Sequence, residues 1–207
     1  RIANILDKGF SPSSILALTF TNKASREMKE RIASLIGDYK ARRLVMGTFH
    51  SIFIRFLRDE AELIGFPKTF SIYDTTDSRN VIKACIKELN LDDKVYKANE
   101  VHGRISMAKN NLVTAEAYSR NSTLIQNDSA ARKPRLWEIY REYAKKCRKA
   151  GAMDFDDILL NMNILLRDNQ EALLKISDRF KYIMVDEYQD TYSAQYLILK
   201  KLSQFHH

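Results

Sequence analysis

Two hydrophobic patterns alternate along this chain, and they separate its elements. Residues 15–20 (Ile-Leu-Ala-Leu-Thr-Phe) follow a turn-rich stretch over 9–14 and stop at polar Thr21 and Asn22. An apolar run this short predicts a buried strand, not a helix. Residues 44–49 (Leu-Val-Met-Gly-Thr-Phe) predict a second strand, and residues 182–185 (Tyr-Ile-Met-Val) a third, which runs straight into Asp186 and Glu187. Between the first two, Met28, Ile32, Leu35 and Ile36 recur at helical spacing, and Gly37 ends that helix. Another helix spans 52–64, with Ile52, Phe53, Phe56, Leu57 and Ile64 on one face. Apolar runs without alternation suit a parallel sheet covered on both faces.

From about residue 75 to 150 the pattern is helical with polar connections. Val81, Ile82, Cys85, Ile86 and Leu89 form one stripe, and Leu136, Ile139, Tyr140, Tyr143 and Cys147 another. Residues 121–123 and 126–129 read as loop, being rich in Asn, Ser and Asp. Asp154 fits the cap of a helix carrying Ile158, Leu159, Met162, Leu165 and Leu166. No internal repeat is visible. The fold class is therefore α/β: a parallel sheet whose strands lie near both ends of the chain, interrupted by a mostly helical insertion. The expected division is 1–55, 56–165 and 166–207.

Composition excludes several classes. At 207 residues, 45% hydrophobic and 29% charged, the chain is a packed globule and not a disordered one. No apolar stretch is long enough to span a membrane, and no secretory leader is visible. The start at Arg1 instead of Met suggests a piece of something longer. Cys85 and Cys147 show no ligand spacing, which suits a reduced, cytoplasmic setting without structural zinc or disulfides. Charge is uneven: residues 77–150 hold 16 Lys and Arg against 9 Asp and Glu, whereas 151–207 hold 6 against 9. A basic middle beside an acidic end fits a polyanion partner handled next to a cation site, or a merely solvated basic surface.

The sharpest chemical signal is the hexapeptide over 186–191, Asp-Glu-Tyr-Gln-Asp-Thr, at the end of the third strand. Carboxylates leaving the C-terminal end of a buried strand lie in the ligand crevice of an open α/β sheet. In nucleotide hydrolases one such acid helps hold Mg²⁺, and the second orients or deprotonates the attacking water.

The hexapeptide resembles the Walker B motif of the UvrD/Rep/PcrA group of superfamily 1 DNA helicases. Residues 19–24 (Thr-Phe-Thr-Asn-Lys-Ala) with Arg26, Glu27 and Met28 resemble its motif Ia. Residues 47–51 (Gly-Thr-Phe-His-Ser) resemble its motif Ib, and 154–159 (Asp-Phe-Asp-Asp-Ile-Leu) the return from its helical insertion. The resemblance covers the whole chain and implies a partial RecA-like motor domain, 1A, interrupted by a subdomain 1B. It implies an ATP- and Mg²⁺-dependent motor moving 3′→5′ on single-stranded DNA and at single-/double-strand junctions, with repair or replication proteins as possible partners. Asp186 would hold the metal, Glu187 would act on the water, and Gln189 would join them in catalysis. Phe20, Thr21, Asn22, Lys23, Thr48, His50 and Ser51 would line the DNA track, donors positioning the backbone and the aromatic face stacking a base. Phe20 also fits a core residue at a strand end, and His50 a satisfied buried histidine. Asp154, Asp156 and Asp157 are explained by helix capping alone. The basic insertion suits duplex DNA, with Arg132, Lys133, Arg135, Lys145, Lys146, Arg148 and Lys149 the densest group.

Two departures temper the resemblance. Tyr192 stands where relatives would be expected to have Asn. No G-x-x-x-x-G-K-[ST] occurs, since none of the six glycines precedes Lys. The expectation is a slice of a helicase without its phosphate loop, inactive by itself, with His206 and His207 either native or tag residues. Two rival readings stay open. One is a RecB/AddA-type helicase-nuclease subunit; the other is a non-catalytic DNA-binding or protein-interaction module with a degenerate nucleotide site.

Overall fold

A computed structural model of the chain describes residues 1–205, so the origin of His206 and His207 lies outside the described residues. In chain order the elements are α1 (Ile2–Asp7), β1 (Ile15–Thr19), α2 (Asn22–Ile36), α3 (Asp38–Arg43), β2 (Val45–Thr48) and α4 (Phe49–Glu60). Then come β3 (Ser71–Tyr73), α5 (Thr75–Glu88), α6 (Ala98–Asn110), α7 (Ala115–Ser119), α8 (Ser122–Ala130) and α9 (Leu136–Lys149). The chain finishes with β4 (Ala152–Asp154), α10 (Phe155–Asp168), α11 (Gln170–Arg179), β5 (Tyr182–Val185) and α12 (Ser193–Ser203). It divides into two compact units, residues 1–60 with 162–207, and residues 61–161. The boundaries expected from sequence, after 55 and after 165, fall inside α4 and α10, and the division after 161 also falls inside α10.

The first unit is built on a parallel sheet of order β2–β1–β5. β1 is buried throughout and β2 nearly so. Each fully buried Ile or Leu there contributes roughly 1.5–3 kcal/mol. β5 departs from the expectation of a buried strand: all four of its residues are half-exposed, and Ile183, Met184 and Val185 line a cavity of about 450 Å³. On one face of the sheet, Ile15, Ala17 and Met46 pack with Ile32 of α2, backed by Met28 and Ile36. Leu35 was expected on that face but is 69% exposed. It sits about 60° around the helix from Ile32, enough to carry it out of a narrow buried stripe.

The second unit packs Ile82, Cys85 and Ile86 of α5, Val101 and Ile105 of α6, and Ile139, Tyr140 and Tyr143 of α9 into one core. Two features differ from the sequence reading. Residues 122–130 form helix α8 instead of loop, with Asn121 Oδ1 accepting from Leu124 N at 3.1 Å. Buried Asp128 secures that helix, accepting from Tyr118 Oη at 2.6 Å and Arg104 at 2.5 Å. Such tertiary bonds override the weak helix propensity of Asn, Ser and Asp. β3 and β4 also pair in parallel, Ser71 with Ala152 through Tyr73 with Asp154, and three-residue strands are too short to show a pattern.

Candidate functional site

Strand register brings three predicted segments to one end of the first sheet. Thr19 pairs with Thr48 and Leu18 with Val185, so residues 20–23, 49–51 and 186–187 all leave the same sheet end. β1 is central, which sets the motif Ia-like segment between the motif Ib-like segment and the acid pair. Ligands of open α/β sheets gather at that end.

Asp186 is tied to the sheet, its N–H donating to Leu18 O at 3.0 Å. Glu187 has φ 54° and ψ 48°, a left-handed conformation that costs a non-glycine residue on the order of 1–3 kcal/mol. This turn carries the carboxylate off the strand line. A 3₁₀ turn over Tyr188–Asp190 follows, closed by Asp190 N to Glu187 O at 2.9 Å and by Thr191 Oγ1 to Tyr188 O at 2.8 Å. The Gln189 side-chain amide donates to the Glu187 carboxylate, so these two residues act as a pair. Asp186, Glu187 and Gln189 are all exposed, and Tyr192 is 71% exposed beyond them. Their oxygens are hard donors of the kind Mg²⁺ takes, and one or two carboxylates suffice for a cation whose other ligands are phosphates and water. No group of three or more His, Cys, Asp or Glu able to hold a metal occurs among the described residues. The donor set fits a Mg²⁺ that draws its remaining ligands from outside these two carboxylates.

In the neighbouring segments, Phe20 is half-buried with its ring 5.2 Å from that of Phe49. It is part of the core edge and still offers surface. Thr21 caps α2, its hydroxyl accepting from Ala24 N at 3.1 Å. Asn22 and Lys23 open that helix, with Lys23 only 3.9 Å from Glu27 in an exposed pair. Thr48 Oγ1 donates to Ser51 Oγ at 3.0 Å, and Ser51 Oγ donates to Thr48 O at 3.0 Å. Both hydroxyl protons are thus committed inside the turn, and a phosphate there requires one to rotate. His50 is half-buried beside them. A Cβ at Gly47 would lie 2.8 Å from Ser51 Oγ and 3.1 Å from Ile52 Cδ1, so a larger residue here would force the Ser51 hydroxyl out of the turn.

The basic surface differs from expectation. The 61–161 unit holds 17 Lys and Arg against 14 Asp and Glu, because Glu62, Asp74, Asp154, Asp156 and Asp157 belong to it. Five of its seven densest cations are also engaged, while Arg132 and Lys149 are exposed with no ion pair among the described residues. Lys133 faces Glu100 at 3.1 Å, Arg135 faces Glu138 at 2.7 Å, Lys145 faces Glu142 at 3.8 Å and Lys146 faces Glu88 at 2.8 Å. Arg148 lies over the Phe66 ring and donates to Ile64 O at 2.9 Å.

Sequence reasoning missed a buried ionic cluster in the same unit. Lys109 of α6 is 2% exposed and lies 2.6 Å from Asp154 and 2.8 Å from Asp157. Tyr143 donates to Asp154 at 2.7 Å. Asp154 and Asp157 cap α10 as expected, each carboxylate accepting the other's backbone N–H at 2.9 and 3.0 Å. Burial opposes ionisation of Asp154, but the Lys109 charge and the hydrogen bonds from Lys109 and Tyr143 hold its carboxyl below the usual range. Burial pushes Asp157 up to about 6, with the Asp154 charge adding to that and Lys109 opposing it. The capping spacing was visible in sequence; nothing marked Lys109 as its counter-ion. Burial also pushes Cys85 up to about 11 and Cys147 to about 12, so both thiols stay protonated and inert.

A parallel sheet that gathers an acid pair and two polar segments at one end, with a helical unit inserted between its strands, defines an α/β protein with a candidate ligand site at its sheet end. The chain belongs to the UvrD/REP helicase N-terminal domain family, which matches residues 1–207. It is similar to the ATP-dependent DNA helicase PcrA of Staphylococcus aureus (strain Mu50 / ATCC 700699), 41% identical over 204 residues, which is 98% of this chain and 27% of the relative. The proteins of the same name from Bacillus subtilis (strain 168) and Leuconostoc citreum are 40% and 38% identical over 205 residues, 99% of this chain and 27% of each relative. The chain therefore spans about a quarter of the length of the curated relatives it matches. No helix among the described residues is long and apolar enough to cross a membrane.

Proposed function

We propose that this chain is the RecA-like motor domain 1A, with its 1B insertion, of an ATP-dependent DNA helicase that moves 3′→5′ on single-stranded DNA. The observation that carries the reading is the shared sheet end: Asp186–Glu187, Phe20–Lys23 and Thr48–Ser51 all follow strands in register. Asp186, anchored through its backbone to β1, would hold Mg²⁺ on the bound nucleotide. Glu187, turned off the strand and braced by Gln189, would take the proton of the attacking water. Mg²⁺–ATP would supply the transferable phosphoryl group and the charge that this group's oxygens share. Phe20 would stack a base while Asn22, Lys23, Thr48, His50 and Ser51 meet the backbone, an arrangement that tolerates any sequence. Coupling between nucleotide and DNA would run through β1, which lies between β2 and β5. The acids alone cannot cradle phosphates, so the 207 residues by themselves would neither hydrolyse ATP nor unwind DNA.

Glu187→Gln in the intact protein tests the assignment. It should abolish DNA-stimulated ATP turnover while single-strand binding persists, because only the proton acceptor is removed. Turnover retained within a few-fold of the parent would refute the role of Glu187. Hydrolysis by the 207-residue chain alone would refute its inactivity.

A further inference from the structure

The α2–α4 region carries cations that neither the acid pair nor the motif-like loops use. Residues 22–60 hold nine Lys and Arg against five Asp and Glu, and of the nine only Lys23 belongs to the candidate track. Lys29, Arg42 and Arg55 line one cavity of about 340 Å³, floored by Leu44 and Met46. A volume of this size lies at the small end of ligand sites. All three cations are exposed, and none forms an ion pair among the described residues; Asp38 is the single carboxylate on the wall. Cations left unpaired at a cavity keep their field for a polyanion.

The helices place this cavity beside the candidate DNA track. On α2, Asn22, Arg26 and Lys29 stand at i, i+4 and i+7 and share a face, with Lys29 about 10 Å along from Asn22. On α4, Ser51 and Arg55 are one turn apart, about 6 Å. Two helices that begin at the proposed track thus each run a cation from it toward the same cavity at the β2 edge of the sheet. We propose that Lys29, Arg42 and Arg55 form a phosphate subsite that extends the single-strand track along the β2 edge, gripping the backbone without reading bases. This inference rests on the assignment of the track to the sheet end.

The test is fluorescence anisotropy of the intact protein with labelled oligothymidylate over a salt series. For single strands, the slope of log affinity against log salt changes by about 0.7 per phosphate contact. Lys29→Gln, Arg42→Gln and Arg55→Gln together should flatten the slope by about 2, and each alone by about 0.7. The single variants keep the result readable should the triple variant unfold. A parallel variant neutralising Arg135, Lys145 and Lys146 should leave the slope unchanged. Phe20→Ala should weaken binding through lost stacking. An unaltered slope in the Lys29, Arg42 and Arg55 variants, with Phe20→Ala impaired, overturns the subsite and leaves the track standing. Equal flattening by the Arg135, Lys145 and Lys146 variant overturns it too, since the effect would then be bulk charge. Wild-type binding by Phe20→Ala overturns the track itself.

Discussion

The two units each carry 17 Lys and Arg, yet they pair them to different extents. In residues 61–161, Lys133, Arg135, Lys145 and Lys146 face glutamates on the surface, while Lys109 is sealed between two aspartates. In the sheet-bearing unit, Arg26, Lys29, Arg42 and Arg55 stand exposed with no ion pair among the described residues. Surface pairs hold a fold together only weakly, but they cancel the local field that draws a polyanion. A count of charges along the sequence points to the insertion; three cations without an ion pair that line one cavity point to α2, α3 and α4. Net charge shows that a chain can attract DNA, and pairing shows where.

The largest expected effect lies in the buried cluster. Lys109→Met strands Asp154 and Asp157 without a counter-ion and should destabilise the insertion by about 3–5 kcal/mol in denaturant unfolding. Asp157→Asn should cost clearly less than Asp154→Asn, since Asp154 holds Lys109, Tyr143 and a backbone N–H together. The cluster also has a pH signature. Asp157 has a higher pKa folded than unfolded, so the folded state binds its proton more tightly. Stability from that group should rise as pH falls from about 7 through about 6. It should fall again only in stronger acid, where Asp154, held low, takes up a proton. The rise should appear in the difference between the thermal midpoints of the parent and of Asp157→Asn, a difference that removes the opposing titration of His102, whose burial lowers its pKa. Were Lys109→Met harmless, the insertion's cations would not be structural and the contrast between the units would collapse.

Effects in the other unit are smaller and sharpen the contrast from its side. Gly47→Ala pushes a methyl group to 2.8 Å from Ser51 Oγ and should cost about 1–3 kcal/mol through overpacking, read as a lowered melting midpoint. Thr21→Ala removes the α2 cap and should cost about 1 kcal/mol by the same measurement. Both losses should loosen the segments that present the unpaired cations while leaving the insertion's own transition untouched.

The sheet-bearing unit was legible because its information is local. Residues 15–20 and 44–49 are short apolar runs that end at polar motifs, and 182–185 shows the same pattern before its acid pair. Strand existence and the three sheet-end segments follow from that. What stayed hidden depends on partners distant in sequence. Lys109 reads as one more helix lysine until α10 brings Asp154 and Asp157 to it across 45 residues or more. Residues 126–129 read as loop until Tyr118 and Arg104 bury Asp128. Leu35 shares the spacing of Ile32 but sits on the flank of the stripe. The cavity at Lys29, Arg42 and Arg55 assembles from three separate elements, α2, α3 and α4, and no spacing announces it.

The most direct measurement of where this protein meets DNA is photocrosslinking. A single strand carrying 5-iodouridine, irradiated in complex with the intact protein and mapped by peptide mass spectrometry, reports contact residues without any mutation. Within this chain, adducts should concentrate on Phe20 and across residues 20–55. Adducts concentrated in residues 61–161, with residues 20–55 unlabelled, would contradict the account.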